Sequence, residues 1–264
     1  MKIPNILVIA AAAAACSGCF QMSTTLKVNG DASGTIDQRL VFTGAALAQI
    51  QQFSALGGPD AKKFDPVSEE QARAGAAKIG PGVTYVTSTA INDASGQGRE
   101  TTYAFGNVNQ LRIMQQPGGP GGVSVGGTPE SIAFTLTTLE NGNSLLTIGM
   151  PAFSPPGVSG PGAGRSPSPA QLAMVRQMLA GARITIAVEP SGKIVRTSSP
   201  FVDGQRVTLI DIDLDQLMKD EVIARMRDVK GLDQMKAAMK DVPGLKVSLD
   251  RETTIEFSPA GIRP

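Results

Sequence analysis

The chain of 264 residues is 41% hydrophobic and 18% charged, a composition typical of a globular protein large enough to bury a core. Its 24 basic and 23 acidic residues nearly cancel, so there is no net field to recruit nucleic acid or an anionic membrane. Histidine is absent and the two cysteines stand at positions 16 and 19, so we expect no typical hydrolase, no disulfide and no metal or cofactor site.

The N-terminus has the pattern of an export signal. A single cation, Lys2, precedes an apolar run over residues 6–15, which corresponds to the n-region and h-region of a signal peptide. A membrane span needs about 20 apolar residues, so this run is too short to be one. We predict that residues 1–18 form a lipoprotein signal peptide.

The stretch Cys16-Ser17-Gly18-Cys19 resembles the bacterial lipobox, in which small residues precede a cysteine that receives diacylglycerol before cleavage. It departs from that pattern at Cys16, where leucine is preferred. The resemblance implies lipidation of Cys19, and two or more acyl chains would hold the protein stably at a membrane. Two alternatives remain open: an ordinary secretory signal cleaved near Ala15, which leaves Cys19 a free thiol, or a poorer lipobox ending at Cys16.

The residues after Cys19 bear on location. Phe20 and Gln21 follow without an aspartate, and this resembles the proteobacterial sorting pattern of outer-membrane rather than inner-membrane lipoproteins. We therefore expect a cell-envelope protein, anchored in the outer membrane by its lipid and facing the periplasm.

The first part of the mature chain alternates apolar and polar residues with a period of two in four segments, which predicts two β-hairpins. Two amphipathic segments with helix-capping signals lie between the hairpins. The predicted strands are 24–29 with 35–42 and 83–91 with 99–105, and the predicted helices are 45–56 and the segment that begins at Ser68, with Gln71 as its capping-box partner, and ends before Gly80.

The two hairpin turns have the same sequence, Asp-Ala-Ser-Gly, over residues 31–34 and 93–96. A related Ser-Gly pair follows Pro190. Either the hairpins are related modules, or turn chemistry alone accounts for the repeat, because Asp, Ser and Gly are the ordinary turn residues.

Glycine and proline dominate residues 115–129 and 154–169, which predicts flexible loops. A hairpin with the turn Asn141-Gly142 lies between them. Later segments predict a three-stranded meander and three helices. The predicted meander is 184–188, 193–197 and 206–212, the helices are 170–180, 214–227 and 232–241, and two closing strands are 245–250 and 253–257.

Hairpins followed by helices, without strict alternation of strand and helix, predict an α+β fold. In it, antiparallel sheets built from hairpins carry helices on one face. We divide the chain into the signal peptide (1–18), an N-terminal hairpin and helix region (19–114), Gly/Pro-rich loops flanking a hairpin (115–169) and a C-terminal meander with helices (170–264). The second and fourth of these can form one composite domain.

The stretch from Cys19 to residue 42, with its turn Asn29-Gly30-Asp31-Ala32-Ser33-Gly34-Thr35, resembles the opening of LppM-like bacterial lipoproteins. Those proteins also begin a β-rich domain just after the lipidated cysteine, with an Asp-Gly-Ser-Gly-Thr-type turn. Ala32 stands where that turn has glycine. The resemblance covers residues 19–42 alone, implies the lipidation of Cys19 and transfers no binding residue.

Three other residue patterns could carry chemistry. Asp211, Asp213 and Asp215 alternate as in a calcium loop, but glycine and glutamate are missing from the sixth and twelfth positions, so we interpret Asp213 as a helix N-cap. No serine has a histidine or a Ser-x-x-Lys lysine to activate it, and the lysines at 219, 230, 236 and 240 suit solvated helix faces. The methionines at 218, 226, 235 and 239 either fill the core or line a groove for an acyl chain or partner helix.

These observations predict a membrane-anchored, non-enzymatic bacterial lipoprotein that binds an envelope protein or an amphiphile, and no nucleic acid. The alternative is a carrier that shelters a lipid acyl chain between the sheet and the methionine-bearing helices. A continuous apolar cavity would favour the carrier, whereas a filled core with an exposed apolar edge would favour the binding module.

Overall fold

The computed structural model describes residues 20–44, 46–48, 65, 67–114, 131–150, 173, 176, 180–227, 229 and 232–258. The predicted signal peptide, Cys19 and both predicted Gly/Pro-rich loops lie outside these residues. The strands are β1 (Phe20–Val28), β2 (Gly34–Phe42), β3 (Val83–Asp93), β4 (Gly96–Phe105), β5 (Arg112–Met114), β6 (Ser131–Thr138), β7 (Ser144–Gly149), β8 (Arg183–Pro190), β9 (Lys193–Thr197), β10 (Val202–Asp203), β11 (Arg206–Asp213), β12 (Leu245–Val247) and β13 (Glu252–Ser258). The helices are α1 (Glu69–Ile79), α2 (Leu214–Leu217), α3 (Asp220–Arg227) and α4 (Leu232–Met239), and a 3₁₀ turn covers Val108–Gln110.

The strands form two sheets. Sheet A runs in the order β10-β11-β8-β1-β2-β4-β3, with β12 beside β11, and sheet B runs β5-β6-β7-β13-β9. Sheet B is antiparallel throughout, whereas β1 and β8 pair in parallel at the centre of sheet A. The structure is therefore mostly β, and the prediction of purely antiparallel sheets was wrong for this pair, because a local turn signal cannot reveal a partner strand so distant in sequence.

The two sheets share one core. Leu26 and Val188 from sheet A and Leu146 and Phe257 from sheet B are fully buried in the same apolar cluster. Strands from all three predicted segments of the mature chain contribute to this cluster. The segment boundaries that we place after residues 114 and 169 stay a prediction. In strands such as β7, buried and more exposed positions alternate, which is the pattern that predicted the strands, whereas central strands such as β8 also bury consecutive residues.

Three predicted hairpins are confirmed: β1–β2, β3–β4 and β6–β7 are antiparallel neighbours. In the first two, the turn aspartate accepts hydrogen bonds from the serine two residues later, Asp31 from Ser33 and Asp93 from Ser95. The glycine that follows is required by space, because a Cβ on Gly34 would lie 2.0 Å from the Lys27 carbonyl oxygen. The Asp–Ser hydrogen bonds thus give the shared turn sequence a local cause in both hairpins, whereas a Cβ on Gly96 would meet the Phe42 carbonyl oxygen of β2 at 2.1 Å.

The predicted C-terminal meander was wrong. β8 and β11 pair directly with each other in sheet A, whereas β9 lies in sheet B beside β13. The turn at Ser191-Gly192 therefore carries the chain from one sheet to the other. Ile194 still points into the shared core, so the alternation within β9 was informative although its partner was not.

Helix α1 packs on the face of sheet A that sheet B also covers, since its Ala76 belongs to the shared core. α1 contacts β3 and β4, and its N-cap is the predicted Ser68, whose Oγ accepts from the Gln71 backbone at 3.2 Å. The helices α2, α3 and α4 form a second apolar cluster beside β11 and β12. Within the predicted helix 45–56, residues 46–48 are helical, as is residue 44 just before it. Within the predicted helix 170–180, residues 173 and 176 are helical and residue 180 is in a turn. The remaining positions of both predicted helices lie outside the described residues.

The helix predicted over 214–227 is broken into α2 and α3. Leu217 and Val222 are both buried in the second cluster, at 3% and 2% exposure. Residues five apart in one straight helix point about 140° away from each other, so a continuous helix could not bury both. The break at Met218 and Lys219 lets each of them reach the cluster.

Candidate functional site

The predicted lipidation site, Cys19, lies outside the described residues, and the next residue in the chain, Phe20, is the first residue of β1. Phe20 is in register with Phe42, Phe42 with Gln97, and Gln97 with Asn92. We call the end of sheet A formed by these four residues the anchor end. The register places it beside the position where a lipid on Cys19 would be attached.

Strand β3 forms an open edge of sheet A. Within the described ranges it pairs with β4 alone, although it is 11 residues long. It contains no lysine, arginine or proline, and its one charged residue is Asp93 at its last position. A bulge between Tyr85 and Thr87 leaves Val86 53% exposed. A long edge with few charges offers unpaired backbone groups to another strand.

The other sheet edges in the described part of the chain differ from β3. The edge strand β10 has two residues and β5 has three, and both are too short to template a partner strand. The edge strand β9 carries Lys193 and Arg196, and Arg196 Nη2 lies 2.9 Å from Glu256 Oε2. Short length and edge cations are the usual protections against strand pairing. Strand β3 lacks both protections and has only its bulge.

Helix α1 holds β3 in place from the core side. The Tyr85 hydroxyl lies 3.2 Å from Glu69 Oε1, to which it donates, and 2.8 Å from Ser88 Oγ. The Arg73 guanidinium lies over the Tyr85 ring at 4.3 Å and also donates to Glu69 Oε1 at 2.6 Å. Hydrogen bonds from Arg73 and Tyr85 lower the pKa of Glu69. This network ties the first half of β3 to the helix.

The neighbouring strand β4 is fixed to the same helix and its leading segment. Tyr103 is 1% exposed, and its hydroxyl donates to the Ala72 carbonyl at 2.8 Å. Burial raises the pKa of Tyr103. Arg99 Nε donates to the Val67 carbonyl at 2.8 Å, and Arg99 Nη1 donates to Ser88 Oγ at 2.8 Å. The open edge is therefore an ordered surface that would need little rearrangement to accept a strand.

The outward face of sheet A carries charges that are already paired. Lys27 Nζ lies 2.8 Å from Asp37 Oδ2, and Arg206 Nη1 lies 2.7 Å from Glu189 Oε1. The Thr102 hydroxyl also donates to Asp37, at 2.8 Å. The hydrogen bond to Asp37 raises the pKa of Lys27. Because the charges alternate across neighbouring strands, this face presents no patch of a single sign.

The three aspartates that alternate near α2 have separate structural roles. Asp211 accepts from Arg183 Nε at 2.9 Å and Nη2 at 2.8 Å, while Asp215 accepts from the Gly181 backbone at 2.8 Å. Burial opposes ionisation of Asp211, but the Arg183 bonds outweigh it and lower its pKa. Asp213 is the N-cap of α2, as predicted, because its Oδ1 accepts from the backbone of residues 215 and 216. No group of three potential ligands suits a metal in the described ranges.

The methionines split between two settings. Met239 is 6% exposed in the second apolar cluster, and Met226 and Met235 pack against that cluster. Met218 instead lines an open pocket of about 800 Å³ with Leu214 and Ala180, whose rim includes the ion pair of Arg176 with Asp220. Core packing thus accounts for three of the four methionines.

The predicted solvated lysines agree with the structure where they are described. Lys219, Lys236 and Lys240 are exposed, and Lys236 Nζ lies 2.6 Å from Asp250 Oδ1, while Lys230 lies outside the described residues. Every buried side-chain nitrogen or oxygen in the described part of the chain has a hydrogen-bond partner. None of the described helices is long and apolar enough to cross a membrane.

Comparisons with known proteins give little guidance. No family model matches the chain, and no curated protein is significantly similar to it. Among solved structures, the folded domain of LppM from Mycobacterium tuberculosis aligns over 75% of this chain and 84% of that chain, with 6% identity and a TM-score of 0.29. An M1 zinc metallopeptidase from Deinococcus radiodurans aligns over 76% of this chain and 40% of its own, with 11% identity and a TM-score of 0.22.

Proposed function

We propose that this protein is a non-enzymatic, lipid-anchored component of the bacterial cell envelope that binds an extended strand of another envelope protein along β3. The observation that carries the proposal is the ordered open edge of sheet A, whose one charged residue is Asp93 at the end of β3. Adding a strand to such an edge is a common mode of peptide recognition, in which main-chain hydrogen bonds supply affinity and alternate side chains supply specificity.

The side chains along β3 indicate the chemistry of the partner strand. Residues 87–91 read Thr-Ser-Thr-Ala-Ile, so a partner strand would lie beside small or β-branched side chains. Such neighbours favour β-branched and aromatic residues on the incoming strand. On the core side, Glu69 and Arg73 of α1 are already paired with each other, so a strand with little net charge fits this edge best.

A second copy of this chain fits less well. Two identical strands that pair about a two-fold axis run antiparallel. Their anchor ends would then lie at opposite ends of the joined sheet, separated along the strands by about 30 Å for a nine-residue strand. If the strands stand upright on the membrane, only one of the two anchor ends can reach the bilayer surface. We therefore commit to a different protein as the partner.

The packing of the helices supports this proposal over the acyl-chain carrier. The carrier requires a continuous apolar cavity between the sheet and the methionine-bearing helices. Three of those methionines pack in or against the second apolar cluster instead, and the pocket beside Met218 has a charged rim. The binding module was expected to present an exposed apolar edge, whereas the exposed residues of β3 include Thr87 and Thr89 beside Val86. The proposal therefore rests on the open backbone of this edge rather than on an apolar surface.

Lysine substitutions at the edge provide the test. The variant Thr87→Lys/Thr89→Lys introduces two charges into β3, and Thr135→Lys/Thr137→Lys is a matched control at two exposed positions of β6 in sheet B. A photo-crosslinking residue at Ile91 should capture a partner in intact cells. We expect the edge variant to reduce capture at least tenfold, about 1.4 kcal/mol of binding, and the control to leave it unchanged.

The crosslinked peptide, identified by mass spectrometry, decides the partner class. An extended segment of another envelope protein supports the proposal, and a crosslink between two copies of this chain overturns its choice of partner. Equal capture in the edge and control variants would exclude β3 as the site. Mass spectrometry of the purified mature N-terminus tests the anchor separately, because diacylglycerol on Cys19 is expected and an unmodified terminus near Cys16 would contradict it.

A further inference from the structure

We infer that the anchor end of sheet A rests on the lipid headgroups, so that the strands of sheet A stand upright on the membrane and β3 faces sideways along it. This inference rests on the proposed lipidation of Cys19. It assigns a membrane-contacting surface to this protein and explains how its open edge would meet a partner in the same membrane.

The tether between lipid and fold has almost no length. Cys19 would carry the acyl chains, and Phe20 is already paired with Phe42 as the first residue of β1. Consecutive Cα atoms are about 3.8 Å apart, so the first strand residue cannot lie far from the lipid glycerol. A protein with a long flexible linker could adopt many orientations, whereas this connection holds one end of sheet A at the bilayer surface.

The strand register shows which residues share that end. Across β2, β4 and β3, the positions level with Phe20 lead to the turn at Ala94 and Ser95. On the other side of β1, Gln21 is level with Arg183 of β8. The turn at Gly204 and Gln205, which joins β10 and β11, lies at the opposite end of the sheet. A strand of nine residues separates the two ends by about 30 Å.

The anchor end carries a small apolar cluster in which Phe20 stays partly exposed. The rings of Phe20 and Phe42 are 6.2 Å apart, and Ala46 and Leu47 pack with them in a small apolar cluster. Arg183, near the same end, is paired with Asp211. Arg183 therefore offers no unpaired charge to the headgroups, and we assign the orientation to the tether.

The absence of tryptophan from the sequence makes a direct measurement possible. Ala94→Trp places the only tryptophan in the turn at the anchor end, and Gln205→Trp places it in a turn at the far end. Both native residues are exposed, so both variants should fold. The full-length, lipidated variants are reconstituted in phosphatidylcholine vesicles that contain a headgroup spin-labelled lipid, which quenches nearby tryptophan fluorescence.

We expect quenching at position 94 to exceed that at position 205 by at least about threefold, because the two turns differ in height by about 30 Å. Raising the salt concentration should leave this ratio unchanged, since salt weakens charge attraction but not a covalent tether. Equal or reversed quenching in protein that remains bound to vesicles would overturn the inference and leave the lipid anchor intact.

The unlipidated Cys19→Ala form separates this inference from the proposed anchor. It should fail to bind vesicles, and its tryptophan fluorescence should be unquenched at both positions. If the native protein also fails to bind, the proposed anchor and the inferred orientation fall together. The Cys19→Ala form could instead bind vesicles and give the same quenching ratio. In that case the folded part of the protein contacts the membrane without its lipid, and the tether does not set the orientation. That result would overturn the inference.

Discussion

The hairpins β1–β2 and β3–β4 begin from nearly the same local sequence but occupy different places in sheet A. Both turns read Asp-Ala-Ser-Gly, and in both the serine backbone and hydroxyl donate to the aspartate. Yet β1 has a neighbour on each side, β2 and β8, whereas β3 has β4 alone among the described strands. Turn chemistry therefore forms a hairpin without deciding where in the sheet it lies.

The difference between the two hairpins follows from what each strand can bury. In β1, Leu26 and Val28 are fully buried in the shared core. In β3, no position is fully buried, and its residues include Thr84, Thr87 and Thr89. A strand that buries little gains little from neighbours on both sides, so it can remain at the edge and serve for recognition. The first hairpin thus lies within the sheet, whereas the second buries residues of β4 alone and leaves β3 at the edge to which we assign the proposed recognition role.

The largest expected effect that tests this division comes from truncating one side chain in each hairpin. Leu26→Ala in β1 should destabilise the protein by about 2–5 kcal/mol, because it leaves a cavity at a fully buried site. Val86→Ala in β3 should change the free energy of unfolding by less than about 0.5 kcal/mol, because Val86 is 53% exposed. Urea denaturation followed by circular dichroism measures both values.

The control for this pair is the slope of unfolding free energy against urea concentration. An unchanged slope in both variants means that only stability has changed. Similar losses of stability in the two variants would contradict the division, because β3 would then contribute to the core as much as β1 does.

The second effect concerns the glycine that ends the shared turn. A Cβ on Gly34 would lie 2.0 Å from the Lys27 carbonyl oxygen, whereas a Cβ on Gly106 would meet nothing within 4 Å. We expect Gly34→Ala to cost about 1–3 kcal/mol, since backbone must shift to relieve the overlap. Gly106→Ala is the matched control and should be neutral or stabilise slightly, because alanine restricts the unfolded chain. Thermal unfolding compares the two variants.

If Gly34→Ala were neutral, the turn would be adaptable, and the recurrence of glycine at this position in both hairpins would need a different cause. The same substitution at Gly96 extends the comparison to the second hairpin, since a Cβ there would lie 2.1 Å from the Phe42 carbonyl oxygen. Equal losses at positions 34 and 96 would show that the two turns respond alike, although their strands differ in burial.

Local sequence signals explain how much of the fold could be predicted. Alternation and turn residues predicted β1–β2, β3–β4 and β6–β7 because each hairpin is made by residues close together in the chain. The parallel pairing of β1 with β8 joins residues such as Met22 and Ile184, and no turn signal spans that distance. The same limit hid the passage of the chain from β8 into sheet B at Ser191.

The candidate site was harder to predict than the fold, and for a related reason. The open edge exists because no described strand pairs with the outer side of β3, and sequence alone does not state which strands find partners. A partial signal was present, since four of the positions in β3 are threonine or serine and the strand has no lysine or proline. By contrast, Asp213 was predicted correctly as an N-cap because capping depends on residues within one turn of helix.

The smallest expected effect concerns the charge of the aspartate in each of the two turns. Serine hydrogen bonds lower the pKa of Asp31 and of Asp93 below the ordinary value of 3.8, and Arg39 also contributes at Asp93. A carboxyl whose pKa is lowered by folding stabilises the protein above its unfolded pKa, and this contribution is lost as pH falls through the folded pKa. Asp31→Asn and Asp93→Asn should therefore each reduce stability at neutral pH and lose that effect in acid. Urea denaturation at a series of pH values measures the free energy of unfolding of each variant and of the native protein. If the difference between variant and native protein stays constant in acid, the charged form of the aspartate is not what stabilises the turn.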